Sequence, residues 1–190
     1  MNLSKLLLTT LLLTPFAHTQ TVIPPSESNT ELKLLVQEDQ RVRMPTPLTP
    51  AERIAITRTD ADRLSAVKKI IAADQLHTGL DYRNAALILQ HSHETDDYLL
   101  AHTLAVIGAS KGDKTSLWLS AATLDRYLTS IKQPQIYGTQ FLHPDPTKPW
   151  TQEPYNSSLI NDGLRQELTL PSSAEQKKRL NDLNSPAALH

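Results

Sequence analysis

The chain has 190 residues, and its 19 Lys and Arg against 20 Asp and Glu give a formal net charge of -1. This length suits one domain with a single core. The balanced charge excludes the basic excess that binding to a phosphate backbone requires, so nucleic acid is not an expected partner. The lack of cysteine excludes disulfides, thiol catalysis and zinc sites built on thiolates.

Residues 1–21 predict a secretory signal peptide. Lys5 precedes an apolar stretch from Leu6 to Leu13, and the sequence becomes polar after Phe16. The stretch is too short to cross a bilayer, so no stable membrane span is expected after cleavage, which we place between residues 17 and 21. The alternative is an uncleaved N-terminal anchor. The predicted location is periplasmic or secreted.

A single helical domain is predicted over residues 29–183, after a disordered linker at 22–28 and before a flexible tail at 184–190. Three capping boxes mark the starts of helices, because each pairs a Ser or Thr with a Glu three residues later. They are Ser28 with Glu31, Thr49 with Glu52, and Ser172 with Glu175. The first helix is expected to end near Arg43. The second is expected to reach Asp74, with or without a break at residues 57–60.

The central part carries the most regular helical periods, over residues 81–91, 95–110 and 114–131. Small residues on these periods let helix axes approach closely. They are Ala85, Ala86, Ala101, Ala105, Ala109, Ala121 and Ala122. Short connections favour antiparallel neighbours. A long Pro-rich wrapping segment, 134–171, follows, with at most one helical turn near 159–166.

These features predict an all-α fold. We expect a compact irregular bundle of about five to six helices, built from antiparallel helical hairpins, with the Pro-rich segment before the last helix. A helical-hairpin repeat array is the alternative.

Several polar residues lie beside the apolar stripes of the predicted helices. Asp125 and Arg126 adjoin the stripe of the helix that ends near Ile131, and a buried charge needs either a counter-charge or a polar cavity. The alternatives are a structural ion pair and a reactive site. His91 closes an apolar row, where it is either a hydrogen-bonded residue at a helix end or a general base. Asp39 and Arg43 are four apart and can pair on one helix.

A turn rich in hydrogen-bonding side chains follows the Asp125 helix. Pro134 ends that helix, and Gly138 permits a backbone conformation that other residues resist. The polar side chains of this turn are Gln135, Tyr137, Thr139 and Gln140. They can bind a polar ligand or satisfy buried helix ends. His91, His93 and His102 fit no well-specified zinc motif, so no metal or other cofactor is predicted.

Together these residues resemble a bacterial family known as domain of unknown function 6624. The resemblance covers about residues 31–183. Its elements are Asp39-Gln40-x-x-Arg43 (or Arg41), Ala85-Ala86 to Gln90-His91, Trp118-Leu119, Asp125-Arg126, Gln135-x-Tyr137-Gly138-Thr139-Gln140, and LRQELTLPSSAEQ. No activity is established for the family, so the resemblance implies only that these polar residues form one set.

The predicted function is a polar cleft that binds a small polar or anionic ligand or a peptide. Its candidate residues are Asp39, Arg43, His91, Asp125, Arg126, Gln135, Tyr137 and Gln140. In a hydrolytic version His91 is the general base, Asp125 orients it, and Arg126 with Gln140 stabilises negative charge. The alternative is a structural or protein-interaction module in which these polar groups are internal clamps.

Overall fold

A computed structural model describes residues 27–43, 49–145 and 147–185 of the chain. The predicted signal peptide and residues 22–26 of the linker lie outside these ranges, as do residues 186–190 of the tail. The described residues form seven α-helices and no β-strand, which confirms the all-α prediction. The helices are α1 (Thr30–Arg41), α2 (Pro50–Ala72), α3 (Gly79–Leu89), α4 (Thr95–Ser110), α5 (Thr115–Ser130), α6 (Asp162–Glu167) and α7 (Ser173–Leu183).

The start of α1 differs from the predicted capping box. Asn29 caps the helix, because its side-chain oxygen accepts a hydrogen bond from the backbone N–H of Leu32 at 2.9 Å. The Ser28 hydroxyl instead donates to Asp81 Oδ1 at 2.6 Å. The predicted box at Ser28 is therefore wrong, since a tertiary contact with α3 takes up the hydroxyl.

The other two capping boxes are confirmed. Thr49 opens α2 and Ser172 opens α7, each with the reciprocal bond from its glutamate. A further box pairs Thr78 with Asp81 at the start of α3, where the acidic partner is an aspartate. Helix α2 is continuous through residues 57–60, so the alternative of a break there is excluded.

The core lies where α4 packs against both α3 and α5, and where α3 also contacts α1 and α2. Six of the seven alanines predicted to face neighbouring helices are at most 1% exposed, and Ala109 is half-buried. The approach of α3 to α4 is close, since a Cβ on Gly79 would lie 2.9 Å from the carbonyl oxygen of Gly108. Four residues join α4 to α5, so these packed neighbours run antiparallel.

Residues 131–145 and 147–161 form turns and irregular backbone. Two isolated bridges organise them, a parallel one between Gln135 and Tyr155 and an antiparallel one between Leu142 and Thr151. The short helix α6 then leads to α7. Over the described part of the chain, no helix combines the length and apolar character needed to cross a bilayer.

Candidate ligand-binding cleft

The C-terminal end of α1 meets α2, α5 and the turn after α3 around an open space of about 510 Å³, which we call the cleft. Apolar side chains form part of its wall, and polar and charged groups form the rest. Its lining residues are Val42, Arg43, Ile56, Asp60, Gln90, His91, Ser92, His93, Tyr98 and Arg126.

Four charged side chains form one network at the base of the cleft. Buried Asp39 pairs with Arg43 through two contacts, Nη2 to Oδ1 at 2.8 Å and Nε to Oδ2 at 3.3 Å. The same Arg43 Nη2 donates to Asp60 Oδ1 at 2.6 Å. Arg63 Nη2 also donates to that oxygen, at 2.5 Å, and Arg63 Nε lies 3.5 Å from Asp39 Oδ1. The charged network thus ties α1 to α2 and balances its own charge.

His91 lies beside this network as a neutral ring. Its Nε2 is 3.6 Å from Asp39 Oδ2, which is longer than a hydrogen bond. The pKa of His91 is lowered from its ordinary 6.5 to about 4, mainly by burial and also by the positive charges of Arg43 and Arg126. These effects outweigh the opposite influence of Asp39 and Asp60 on the pKa. The contact with Asp39 is therefore not an ion pair near neutral pH.

Arg126 is the cation of the cleft that lacks a counter-charge. All 20 Asp and Glu residues of the chain lie in the described ranges, and none has a carboxylate oxygen within 4.0 Å of this guanidinium. Its Nε is enclosed and has no hydrogen-bond partner. Burial lowers the pKa of Arg126, and the nearby charge of Arg43 acts in the same direction. A partly buried cation in this state is costly unless something else compensates it.

A second, smaller cavity adjoins the cleft. Its volume is about 170 Å³, and Tyr98 and Arg126 line both spaces. The remaining lining residues of this second cavity are Thr129, Ser130, Gln140 and Leu142. The hydroxyl of Thr129 is enclosed and has no partner.

Unpaired buried polar atoms concentrate around these two spaces. Six buried side-chain nitrogen or oxygen atoms of the described residues lack a hydrogen-bond partner. Four of the six belong to the charged network or to the walls of the cavities: Arg63 Nε, His91 Nε2, Arg126 Nε and Thr129 Oγ1. Folded proteins leave few such atoms, so a local concentration calls for a cause.

Asp125, the neighbour of Arg126, belongs to a different environment. It is 0% exposed and accepts from the backbone N–H groups of Ile136, Tyr137 and Thr139 at 2.8, 3.0 and 2.9 Å. The hydroxyl of Thr139 adds a fourth bond at 2.8 Å. This differs from the predicted role as the residue that orients His91, because the carboxylate next to His91 is that of Asp39. The four bonds make Asp125 an anchor for the turn.

Gln135 is a second internal anchor of the turn. Its side chain is buried, donates to the carbonyls of Gln140 and Gln152 at 2.9 and 2.6 Å, and accepts from the N–H of Gln140 at 2.8 Å. Gln135 therefore binds the protein rather than an open space.

The predicted need for glycine at position 138 is confirmed by a φ of 64°, and an added Cβ would lie 2.8 Å from the ring of Tyr155.

Tyr137 lines neither the cleft nor the second cavity. Its carbonyl accepts from Arg165 Nη2 at 3.1 Å and from Gln176 Nε2 at 3.0 Å, which fixes the turn against α6 and α7. Burial raises the pKa of its phenol, and the charge of Asp125 does so too.

The structure thus divides the predicted set. Asp39, Arg43, His91 and Arg126 meet at the cleft, and Gln140 lines the adjoining cavity. The other three predicted residues, Asp125, Gln135 and Tyr137, hold the turn. Sequence reasoning missed Asp60, Arg63 and Tyr98. Asp60 and Arg63 are three apart on α2, a spacing that indicates a pair, but the pairing with α1 depends on the tertiary fold.

No protein-family model, curated protein or solved structure matches the chain. The resemblance to domain of unknown function 6624 therefore stays a prediction. Within residues 27–43, 49–145 and 147–185, no three His, Asp or Glu side chains converge as metal ligands.

Proposed function

We propose that the protein binds a small monoanion, of the carboxylate class, in the cleft, with Arg126 as its principal contact. The unpaired guanidinium of Arg126 carries this proposal, because a planar guanidinium matches a carboxylate with two parallel hydrogen bonds. A ligand carboxylate would supply the counter-charge that none of the chain's own Asp or Glu side chains provides.

The charge balance of the cleft supports a monoanion. The charged network contributes two guanidinium groups and two carboxylates, and neutral His91 adds no charge. Arg126 therefore leaves one uncompensated positive charge. A carboxylate neutralises that charge, whereas a phosphate dianion would leave a negative charge in a partly buried site, which is unfavourable.

The geometry supports binding better than hydrolysis. A His–Asp pair that activates water is held together by a hydrogen bond, and the 3.6 Å between His91 Nε2 and Asp39 Oδ2 is too long for one. Neutral His91 can still hydrogen-bond a ligand without repelling it. Arg43 and Arg63 already pair with carboxylates of the charged network, so they shape the wall of the cleft and do not need a ligand anion as their counter-charge.

The proposal is tested by calorimetry and thermal unfolding with acetate and with inorganic phosphate, at matched ionic strength set with sodium chloride. Wild type is compared with Arg126→Gln and with Arg179→Gln, which removes the same charge from α7, outside both cavities. At ten times the Kd, acetate should stabilise the folded state by about 1.4 kcal/mol and raise Tm by about 3 to 5 °C.

The expected result is an acetate-specific shift in wild type and in Arg179→Gln, and its loss in Arg126→Gln. Equal shifts in all three proteins would overturn the assignment of Arg126. A larger shift with phosphate would overturn the monoanion class. The alternative predicted from the sequence, a protein-interaction module, would leave all three proteins unaffected by either anion.

A further inference from the structure

We infer that the ligand extends from the cleft into the second cavity and carries a neutral hydrogen-bond donor, a hydroxyl or an amide N–H, close to its carboxylate. This inference rests on the proposed function. It is carried by the shared wall of the two cavities and by the fixed orientation of the Gln140 side-chain amide.

Arg126 and Tyr98 stand between the two cavities and line both. A group bound to this guanidinium from the cleft is therefore adjacent to the second cavity. The volume of that cavity is about 170 Å³. It accepts the short polar arm of a small molecule and is too small for a folded peptide segment.

A chain of three hydrogen bonds fixes the Gln140 amide. The hydroxyl of Thr139 donates to Asp125 Oδ2, so its oxygen is free to accept. It accepts from Gln140 Nε2 at 2.9 Å, and the same nitrogen donates to the carbonyl of Ala122 at 3.1 Å. Both hydrogens of the amide nitrogen are thereby used. The amide cannot flip without losing both bonds, because an oxygen in that place would face a carbonyl oxygen.

The Gln140 amide oxygen is left as an unused acceptor. Among the described residues it accepts no hydrogen bond, and it is not one of the enclosed unpaired atoms. Gln140 lines the second cavity together with Arg126. An acceptor held in one orientation selects for a donor, since a ligand atom without a hydrogen would leave it unpaired.

The donor should be neutral. An ammonium group in the second cavity would lie beside Arg126, which already lacks a counter-charge and is repelled by Arg43. A second positive charge there is unfavourable in a partly buried space. Hydroxy acids and N-acyl amino acids of small size carry the required pair of groups, and free amino acids do not.

The test is isothermal titration of wild type with butyrate, 3-hydroxybutyrate, 4-hydroxybutyrate, N-acetylglycine and 3-aminobutyrate, with the enantiomers of the chiral probes measured separately. At least one of the two hydroxybutyrates or N-acetylglycine should bind about fivefold more tightly than butyrate, the gain from one neutral hydrogen bond. 3-Aminobutyrate should bind more weakly than 3-hydroxybutyrate.

Two variants locate the effect. Gln140→Met keeps the volume of the side chain and removes its acceptor. The ratio of the affinity for the donor-bearing probe to the affinity for butyrate should then be close to one, while butyrate still binds. Thr139→Val removes the hydroxyl that orients the amide and should reduce the ratio as well, without a change in the walls of the second cavity.

The outcomes separate the two proposals. Equal affinity of wild type for butyrate and for every donor-bearing probe overturns the inference, and the proposed function stands. If 3-aminobutyrate binds more tightly than 3-hydroxybutyrate, the inference that the ligand's donor is neutral is overturned. An unchanged ratio in both variants overturns the assignment to Gln140. Absence of binding by every probe overturns the proposed function itself, and undiminished binding by Arg126→Gln overturns the assignment of Arg126 as the principal contact.

Discussion

Asp125→Asn is expected to destabilise the protein strongly, although Asn has nearly the same shape. Each carboxylate oxygen of Asp125 accepts two hydrogen bonds, from Ile136 and Tyr137 on Oδ1 and from the N–H and hydroxyl of Thr139 on Oδ2. Asn keeps one oxygen and therefore two of these bonds. Its NH2 group would face the two donors of Thr139, and rotation of the hydroxyl can relieve only one of those contacts.

The size of the effect follows from these bonds. Hydrogen bonds to a charged group contribute about 1.5–3 kcal/mol each, and an unsatisfied buried N–H costs about 1–3 kcal/mol. Since the carboxylate is 0% exposed, water cannot replace the lost partners. A loss of about 3–4 kcal/mol is expected once the lower desolvation cost of a neutral side chain is subtracted. That is a large part of the 5–15 kcal/mol typical of a folded domain.

Urea unfolding followed by circular dichroism measures this change. With a slope of about 1–3 kcal/mol per M, the midpoint should fall by more than about 1 M. Asp182→Asn is the matched control, because this exposed carboxylate pairs only with Lys178 at the surface, and its midpoint should match wild type. A midpoint for Asp125→Asn equal to that of wild type would refute the structural role assigned to this residue.

Three further changes should alter stability in the absence of ligand, each measured by urea midpoints. Because the pKa of His91 is about 4 in the folded state and 6.5 ordinarily, the unfolded chain binds more protons between these values. Stability should fall by about 3 kcal/mol as the pH drops from 6.5 to 4, and His91→Asn should lack this part of the slope. Arg126→Met should raise the midpoint, since it removes a cation without a partner, whereas Arg165→Met should lower it, since Arg165 is fully buried and bonds three acceptors. Thr129→Val should match or exceed wild type, and a lower midpoint would show that its hydroxyl has a partner.

The helical architecture was predictable because it depends on local patterns. Apolar periods and the capping boxes at Thr49 and Ser172 gave the helices and two of their starts. The box at Ser28 failed because an equally good cap, Asn29, is adjacent, and because Asp81 is 53 positions away in the chain. Local rules carry no information about such a distant partner.

The site was predictable only in part, for the same reason. The spacing of Asp39 and Arg43 indicated their pair, and the apolar row at His91 indicated burial. The sequence did not reveal that Asp60 of α2 shares Arg43 with Asp39, because that contact requires α1 and α2 to meet. The sequence also assigned eight polar residues to one cleft, whereas in the fold some of them hold a turn and the others line an open cleft.

The division is sharpest between Asp125 and Arg126, which are consecutive on α5. Neighbours on an α-helix point about 100° apart, so one helix can present them to different surroundings. Asp125 has four partners and no space around it, while Arg126 has space on two sides and no counter-charge. If both residues served only stability, a neutral side chain in place of the arginine would give a more stable protein. A charge kept at such a cost beside a cavity is expected where binding is the function, because stability is often lost where a site must stay unpaired for its ligand. Opposite signs of the stability change in Asp125→Asn and Arg126→Met, measured on the same protein, would therefore distinguish the anchor from the binding residue.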